Sequence, residues 1–170
     1  MILFLWLFLY PDVHMTLKIS LYNKSYTEDL FTVFKKSVHH IACHDYTAEQ
    51  CLAWAPDTID LEIWHHQRSQ QPTYIAFDND KIAGFIDLNQ SGYIHMFYIH
   101  PDYQKRGIAS FLFEHIQNIA KSKNIPALTV HASITALPVF QKWGFDMITK
   151  QTISRNGQHF INYHLEKKLS

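Results

Sequence analysis

The sequence predicts an α+β protein in which helices cover a mixed β-sheet. Apolar residues recur with the periods of strands and helices in the order β, two or three helices, βββ, α, β, α, ββ. One strand–helix–strand crossover lies in an otherwise meander-like series of strands. With 170 residues, 47% of them hydrophobic, the chain is predicted to form a single domain with a substantial core.

The first part of the chain predicts one strand and then three helices. Residues 17–21 alternate between apolar and polar side chains, as in a strand. Two helices begin with capping-box spacing, at Ser25 and at Thr47, each followed three residues later by Glu or Gln. The apolar face of the first helix comprises Leu30, Phe34, Val38 and Ile41. A third helical pattern covers residues 60–68.

The remaining pattern predicts three strands, a long helix, a strand, a short helix and a final hairpin. These elements cover, in order, residues 73–77, 81–88, 93–99, 107–123, 127–132, 136–143, 145–154 and 158–166. Residues 78–80 and 155–157 have the Asp, Asn and Gly content of hairpin turns. Pro138 is tolerated in the first turn of the short helix, and Gly144 follows its end.

The most informative stretch covers residues 93–123, where an apolar strand, a basic turn and a helix follow one another. The helix prediction rests on an apolar face formed by Ile108, Phe111, Leu112, Ile116 and Ile119. Gly107 allows a ligand to approach the turn closely, and Lys105 and Arg106 lie beside it. Because a helix N-terminus also offers free N–H groups and partial positive charge, this stretch predicts a phosphate-binding site.

Composition argues against several other functions. Lys+Arg and Asp+Glu number 15 each, so no basic field favours nucleic acid, and an enzyme that acts on RNA is the weaker hypothesis. The histidine pairs at 39–40 and 65–66 lack the i, i+4 spacing of a helical metal site, so no metal is expected. Cys43 and Cys51 are interpreted as free thiols of a reducing compartment, which predicts a cytoplasmic protein.

Residues 1–14 form an N-terminal segment whose first ten residues are almost wholly apolar. They are fewer than the ~20 apolar residues of a transmembrane helix. They also lack the basic region and small-residue cleavage site of a signal peptide. We interpret them as an extension or start-site artefact, with a membrane anchor as the alternative, and expect residues 15–170 to form the domain without binding a membrane.

The central motif and the order of elements resemble the GNAT acyltransferases (Gcn5-related N-acetyltransferases). The family signature is Gln or Arg, two residues, Gly, one residue, then Gly or Ala, and here it is Gln104-Lys105-Arg106-Gly107-Ile108-Ala109. Residues 100–103 resemble the family's approach to this turn, and residues 136–145 resemble its last helix with the Gly-Phe ending. The resemblance covers residues 17–168, and residues 131–136 are most similar to the bacterial YafP-type branch.

The resemblance implies a GNAT-like mixed, mostly antiparallel sheet flanked by helices on both faces, with acetyl-CoA or another acyl-CoA as donor. Backbone N–H groups of residues 105–110 would hold the pyrophosphate, and a strand splayed at a bulge would pair with pantetheine. A backbone N–H of that strand would also polarise the thioester carbonyl. The residues that the resemblance assigns to the donor are Phe97, Tyr98, Ile99, Gln104, Lys105, Arg106, Gly107, Ile108, Ala109, Ser110, Ser133 and Phe140.

Transfer to an amine requires a base for the ammonium and an acid for the departing thiolate. Many family members use a Tyr as the acid, at the position that Phe140 occupies here. Because Phe has no proton to donate, the candidates for the acid in this chain are Tyr98, Tyr163 or water. His95 and His131 are the candidate bases, because neutral imidazole suits the task near pH 7. Strand histidines that serve only packing are an equally weighted alternative.

The region that sets substrate choice in the family corresponds to residues 37–55, where His40, Tyr46 and Trp54 are candidate acceptor-binding residues. An ordinary helical core and surface explains these residues equally well. The implied function is acyl transfer to a primary amine of a small molecule or peptide by direct attack in a ternary complex. A non-catalytic acyl-CoA-binding or regulatory module is the alternative, and either a monomer or a homodimer fits.

Overall fold

The computed structural model describes residues 16–169, so the predicted extension over residues 1–14 and the predicted start of the domain lie outside it. The strands are β1 (Leu17–Leu21), β2 (Thr73–Asp78), β3 (Lys81–Asp87), β4 (Tyr93–Ile94), β5 (Phe97–Ile99), β6 (Ala127–Ser133), β7 (Asp146–Arg155) and β8 (Gln158–Lys168). The helices are α1 (Thr27–His40), α2 (Ala48–Trp54), α3 (Leu61–Ser69), α4 (Ile108–Ser122) and α5 (Leu137–Lys142). Within this range, no helix combines the length and the apolar composition needed to cross a membrane.

The strands form two four-stranded sheets, in the orders β1-β2-β3-β5 and β4-β6-β8-β7. All pairs are antiparallel except β4 with β6, which are parallel. The predicted α+β class and the mostly antiparallel pairing are confirmed. The single sheet predicted from the sequence is wrong, because the predicted strand 93–99 divides into β4 and β5, and each half pairs in a different sheet.

Helices cover both faces of the first sheet, as expected. Along β2 the side chains alternate, so that Tyr74 and Ala76 join a core cluster with α4. Ile75 and Phe77 point to the opposite face and join a second cluster with α1, α2 and α3. Two apolar layers therefore fix the sheet between the helices.

The predicted capping boxes have different outcomes. At α2 the box forms, with Thr47 Oγ1 accepting the Gln50 N–H at 3.2 Å and Gln50 Oε1 accepting the Thr47 N–H at 2.9 Å. The box predicted at Ser25 is wrong, since α1 begins at Thr27 after a 3₁₀ turn capped by Asn23. Asn23 Oδ1 accepts the Ser25 N–H at 2.9 Å and takes the capping role that Ser25 was expected to have.

The turn predictions are confirmed by the backbone. Asn156 and Gly157 have φ of 49° and 77° and connect β7 to β8 in a two-residue hairpin turn. Gly144 has φ of 81° and follows the end of α5, where the left-handed conformation favours glycine. The hairpin turn places β8 beside β7, and β8 pairs with β6 on its other edge, in the sheet that forms one wall of the candidate site.

Candidate active site

The two sheets separate at His95 and Met96, and a buried carboxylate holds this arrangement. Asp87, at the end of β3, accepts the backbone N–H of His95 at 2.7 Å and that of Met96 at 2.8 Å through Oδ1. Its Oδ2 accepts from Arg68 Nη1 at 3.2 Å, and both side chains are buried. Burial raises the pKa of Asp87, and the two backbone donors and Arg68 oppose that rise. One acid thus satisfies two consecutive N–H groups at the point where the chain changes sheets.

The strand after this point has one free backbone edge. The backbones of Met96 and His100 are hydrogen bonded to β3 at 3.0 and 2.9 Å. Because backbone groups alternate in direction along an antiparallel strand, Phe97 and Ile99 turn their N–H and C=O groups away from β3. β5 is the edge strand of its sheet, so these groups face the opening between the sheets.

The segment between β5 and α4 presents successive N–H groups to this opening. The first N–H that donates along α4 is that of Phe111, to the Gly107 C=O at 3.0 Å. The N–H groups of residues 105–107 have no acceptor among the described residues, and those of residues 108–110 precede the first helical hydrogen bond. Lys105 and Gly107 have φ of 59° and 81°, and left-handed residues in such a turn form a concave anion-binding surface.

A groove of about 450 Å³, here named the turn groove, lies between this segment, β5, α1 and the start of α5. Of the residues assigned to the donor, those that line it are Phe97, Tyr98, Ile99, Gln104, Lys105, Gly107, Ile108, Ala109, Ser110, Ser133 and Phe140. Arg106 does not line it, and its guanidinium lies over the ring of the groove residue Tyr103, 5.4 Å from the centroid. The predicted donor residues other than Arg106 thus lie around one continuous space.

A second space of about 110 Å³, here named the aromatic cavity, adjoins the turn groove. Its aromatic lining consists of Tyr46, Trp54, His95, Phe97, Tyr98, His131, Phe140 and Phe160. The cavity and the groove share seven lining residues, which are Val38, Ala42, Phe97, Tyr98, Ser133, Ala136 and Phe140. A molecule in the groove and a molecule in the cavity would therefore meet beside the free edge of β5.

Comparison with known proteins decides the family. Residues 42–167 match the model of the acetyltransferase (GNAT) domain, which is more than half of the chain. The chain belongs to the GNAT acetyltransferase family. The membership predicted from the motif at residues 104–109 is thereby confirmed.

Relatives of this GNAT chain include an Escherichia coli K12 protein named uncharacterized N-acetyltransferase YafP. The two are 33% identical over 141 residues, which cover 83% of this chain and 89% of YafP. This match agrees with the predicted resemblance to the YafP-type branch.

Solved structures share the fold. A GCN5-related N-acetyltransferase from Rhodopseudomonas palustris has a TM-score of 0.87 and 29% identity, covering 94% of this chain and all of its own. PaiA N-acetyltransferase from Thermoplasma acidophilum, in complex with coenzyme A, has a TM-score of 0.75 at 18% identity, covering 91% and 100%. YncA from Salmonella typhimurium, with acetyl-CoA, has a TM-score of 0.67 at 14% identity, covering 91% and 94%.

Tyr98 offers this GNAT site a proton donor. Its hydroxyl oxygen accepts a hydrogen bond from Trp54 Nε1 at 3.0 Å. Within residues 16–169 the hydroxyl proton has no acceptor of its own. Burial is the largest cause that raises the pKa of Tyr98, so the phenol stays protonated near neutral pH. Because Tyr98 lines both spaces, this proton is available to a bound molecule.

His95 lies at the cavity wall with its ring partly in solvent. Its Nδ1 is 3.9 Å from Asp87 Oδ2, which favours a proton on Nδ1 and leaves the Nε2 lone pair free. Burial lowers the pKa of His95, Asp87 opposes this, and the charges of Arg68 and Arg155 lower the pKa further. The imidazole is therefore neutral near pH 7.

His131 also lines the cavity, but its ring is held by other aromatic groups. Its Nδ1 is 3.3 Å from the Tyr93 hydroxyl, and its ring centroid is 5.0 Å from that of His164. Burial lowers the pKa of His131, and His164 adds to the effect. If Tyr93 donates to Nδ1, then Nε2 of neutral His131 carries the proton and cannot accept one.

The remaining predicted residues fall in different places. Tyr46 and Trp54 line the aromatic cavity, and the Tyr46 hydroxyl accepts the Ile134 N–H at 3.0 Å. His40 lines neither space and lies in a separate surface groove. Tyr163 is also absent from both linings, which disfavours it as the acid. No cluster of three metal-ligating side chains occurs in the part of the chain that the structure describes.

Sequence reasoning missed Asp87 and Arg68, the pair that holds the opening. One signal was available, since Asp87 is an acid near the end of an apolar strand pattern at residues 82–88. A buried acid needs hydrogen-bond donors or a counter-charge, which marks such a position as structural or functional.

Proposed function

We propose that this chain transfers an acetyl group from acetyl-CoA to a primary amine of a small molecule or peptide, by direct attack in a ternary complex. The observation that carries the proposal is the meeting of the turn groove and the aromatic cavity beside the free edge of β5. Two solved structures with the same fold contain coenzyme A or acetyl-CoA, which supports the choice of donor.

The turn groove fits an acyl-CoA donor. Free N–H groups of residues 105–110 would hold the pyrophosphate, and Lys105 adds positive charge that no ion pair among the described residues neutralises. The exposed backbone groups of Phe97 and Ile99 would pair with the amides of pantetheine as an added strand does. One of these N–H groups would polarise the thioester carbonyl, and Ser133 would contribute a hydrogen bond.

The aromatic cavity supplies the proton-transfer groups. His95 would take protons from the acceptor nitrogen and release them to solvent at its exposed face. Tyr98 would donate to the departing thiolate and recover a proton from water, because its raised pKa disfavours the phenolate. Phe140 is fully buried against Phe97 and has no proton to give. His131 is the second candidate base.

The protons balance in this scheme. The acceptor ammonium loses one proton to become a nucleophile and a second as the N–C bond forms and the C–S bond breaks. His95 passes both to solvent, and Tyr98 supplies one proton to the thiolate and regains it. The products are the amide, the free thiol of CoA and one proton in solution.

Two measurements together test the proposed function. Calorimetric titration with acetyl-CoA is expected to give one binding site per chain. A screen of amines with thiol detection is expected to release CoA above the hydrolysis background for at least one acceptor. If acetyl-CoA binds but no amine causes thiol release, the proposed enzymatic activity is wrong. That result would favour the alternative of a non-catalytic acyl-CoA-binding module, which is motivated by Phe140 in place of a Tyr.

The proposed setting is the cytoplasm, as a monomer or a homodimer. Cys43 and Cys51 are both free, and Cys43 is exposed, so a reducing compartment suits the chain. Light scattering during size-exclusion chromatography measures the state of assembly.

Replacing Gly107 with Val is expected to raise the Kd for acetyl-CoA at least about tenfold. A change of this size corresponds to the free energy of one lost charge-assisted hydrogen bond. Gly107 has φ of 81°, where a β-branched residue is strained, and an added Cβ would project into open space at the groove. Calorimetry measures the change. Gly157→Val is the matched control, because Gly157 has φ of 77° and equally open surroundings away from the groove. Equal affinities of Gly107→Val and the wild type would refute the phosphate site.

Replacing Tyr98 with Phe is expected to lower kcat about tenfold, with little change in acetyl-CoA affinity. This loss in kcat is small for the removal of a proton donor, because the thiolate of a thiol with a pKa of about 8.5 leaves readily without a proton. Steady-state kinetics at saturating donor checks this. Tyr22→Phe is the control, since the Tyr22 hydroxyl bonds Thr27 and His65 at 2.8 and 2.9 Å, outside both spaces. A kcat for Tyr98→Phe equal to that of the control would remove Tyr98 from the mechanism.

A further inference from the structure

We infer that the acceptor amine also carries a carboxylate, as an amino acid does, and that Arg155 binds this carboxylate at the edge of the aromatic cavity. The inference rests on the proposed function and specifies the class of its acceptor. It makes Arg155 a specificity-determining residue that sequence analysis did not single out.

Arg155 is held beside the cavity by the hairpin of β7 and β8. Asn156, in the turn, donates from Nδ2 to the Ala53 C=O of α2 at 2.8 Å. Gln50 of α2 donates from Nε2 to the His159 C=O of β8 at 2.7 Å. The hairpin is thus fastened to α2 at its turn and at the start of β8. This places the exposed Arg155 guanidinium 4.7 Å from the centroid of the Trp54 ring.

Trp54 connects Arg155 to the reacting groups. The indole lines the cavity, and its Nε1 donates to the Tyr98 hydroxyl at 3.0 Å. The charge of Arg155 acts on His95 and Tyr98, since it contributes to the lowered pKa of His95 and opposes the raised pKa of Tyr98. A carboxylate bound at Arg155 would therefore lie beside Trp54, in the same cavity whose wall contains His95.

The charge of Arg155 has no partner within the described range, where no carboxylate forms an ion pair with it. Arg68, which also acts on His95, is neutralised by Asp87 at 3.2 Å. An unpaired guanidinium on a fixed hairpin suits a planar carboxylate, which it can bind through two N–H groups.

The cavity itself disfavours acceptors with additional positive charge. None of its lining residues is Asp or Glu. Asp45 precedes the lining residue Tyr46, but its carboxylate accepts from Thr135 Oγ1 at 2.7 Å. A polyamine would find no counter-charge in the cavity and would face Arg155 at its edge, which costs free energy.

Pairs of acceptors that differ only in the carboxylate test this inference. Glycine is compared with methylamine, alanine with ethylamine, and phenylalanine with 2-phenylethylamine, each by thiol release with saturating acetyl-CoA. In at least one pair the amino acid is expected to have a kcat/KM about tenfold or more above that of the matched amine. In Arg155→Gln this preference is expected to fall to within about twofold, through a higher KM for the amino acid, and Arg155→Lys is expected to retain part of it.

Lys150→Gln is the control for loss of one positive charge from the same strand. Lys150 lines neither the cavity nor the groove, and its ammonium lies over Tyr163 at 6.0 Å. The preference for the amino acid is expected to persist in this variant. Matched amines that react as well as their amino acids in all three pairs, or a preference that survives in Arg155→Gln, would overturn the inference.

The outcomes separate this inference from the proposed function. If no amino acid is acetylated but another amine releases CoA, the carboxylate inference fails and the transferase stands. If acetyl-CoA binds and no amine, whether from these pairs or from the screen, releases CoA, the carboxylate inference and the proposed transferase function both fail. If Arg155→Gln lowers kcat/KM equally for both members of a pair, Arg155 acts on the cavity as a whole and does not bind a carboxylate.

Discussion

Replacing His95 with Gln is expected to lower kcat about a hundredfold to ten-thousandfold at pH 7, the range for loss of a general base. His95 combines contact with the aromatic cavity, a ring partly exposed to solvent and a nearby carboxylate at 3.9 Å that orients its proton. Gln keeps a polar side chain of similar length but cannot take a proton at this pH. Binding of acetyl-CoA, measured by calorimetry, is expected to remain unchanged, because His95 does not line the turn groove.

The pH dependence of kcat gives this prediction a second readout. Burial holds the pKa of His95 below its usual value near about 6.5, so the active neutral imidazole persists into mildly acidic solution. The activity of the wild type is therefore expected to be level near pH 7 and to fall as the pH drops through this lowered pKa. The acidic limb is expected to disappear in His95→Gln.

His131→Gln is the matched control, since His131 lines the same cavity and its pKa is also lowered by burial. We expect it to keep the acidic limb and most of the activity, because Tyr93 engages its Nδ1. If the limb is lost in His131→Gln and retained in His95→Gln, then His131 is the base and our assignment is wrong.

Replacing Asp87 with Ala is expected to destabilise the chain by about 3–5 kcal/mol, which corresponds to a loss of roughly 6–20 °C in Tm. The change leaves the buried Arg68 guanidinium without a counter-charge and removes the acceptor of two backbone N–H groups. Thermal unfolding followed by circular dichroism measures it. Acetyl-CoA affinity is expected to fall as well at temperatures where the variant is folded, because Asp87 holds the point from which β5 diverges.

Asp80→Ala is the control for loss of one acid from the same hairpin. Asp80 is 99% exposed and lies 3.4 Å from Lys18, and an exposed ion pair of this kind contributes at most about 1 kcal/mol. When Arg68→Met is already present, adding Asp87→Ala is expected to lower the free energy of unfolding by less than it does in the wild type. The reason is that no buried cation is then left unpaired. An Asp87→Ala variant as stable as Asp80→Ala would refute the structural role of this carboxylate.

The helix and turn predictions succeeded where neighbouring residues decide the conformation. The helix predicted over residues 107–123 is Ile108–Ser122, because its apolar face and the glycine before it are local signals. The hairpin at residues 155–157 formed for the same reason. The start of α1 was misplaced, since Asn23 and Ser25 both offer capping groups and the spacing alone did not choose between them.

The site was predicted less completely, because part of it depends on contacts between distant residues. The turn residues of the proposed donor site follow directly from the motif. The split of residues 93–99 does not, since it requires Arg68, Asp87 and Met96 to meet in the core. His40 was expected near the acceptor but lies in a separate groove, because its position on α1 directs it away from the cavity.

The sequence by itself determined the glycine turn and helix N-terminus at residues 104–109, for which we propose phosphate binding, because a glycine, adjacent cations and a helix start are properties of consecutive residues. Only the tertiary structure decided where the strand before it leaves its sheet, since Asp87 selects that point through hydrogen bonds across two strands. The same packing distinguishes His95 from His131 and places Arg155 beside Trp54. Burial, charge and strand pairing are sums over residues far apart in the chain, and no local pattern contains them.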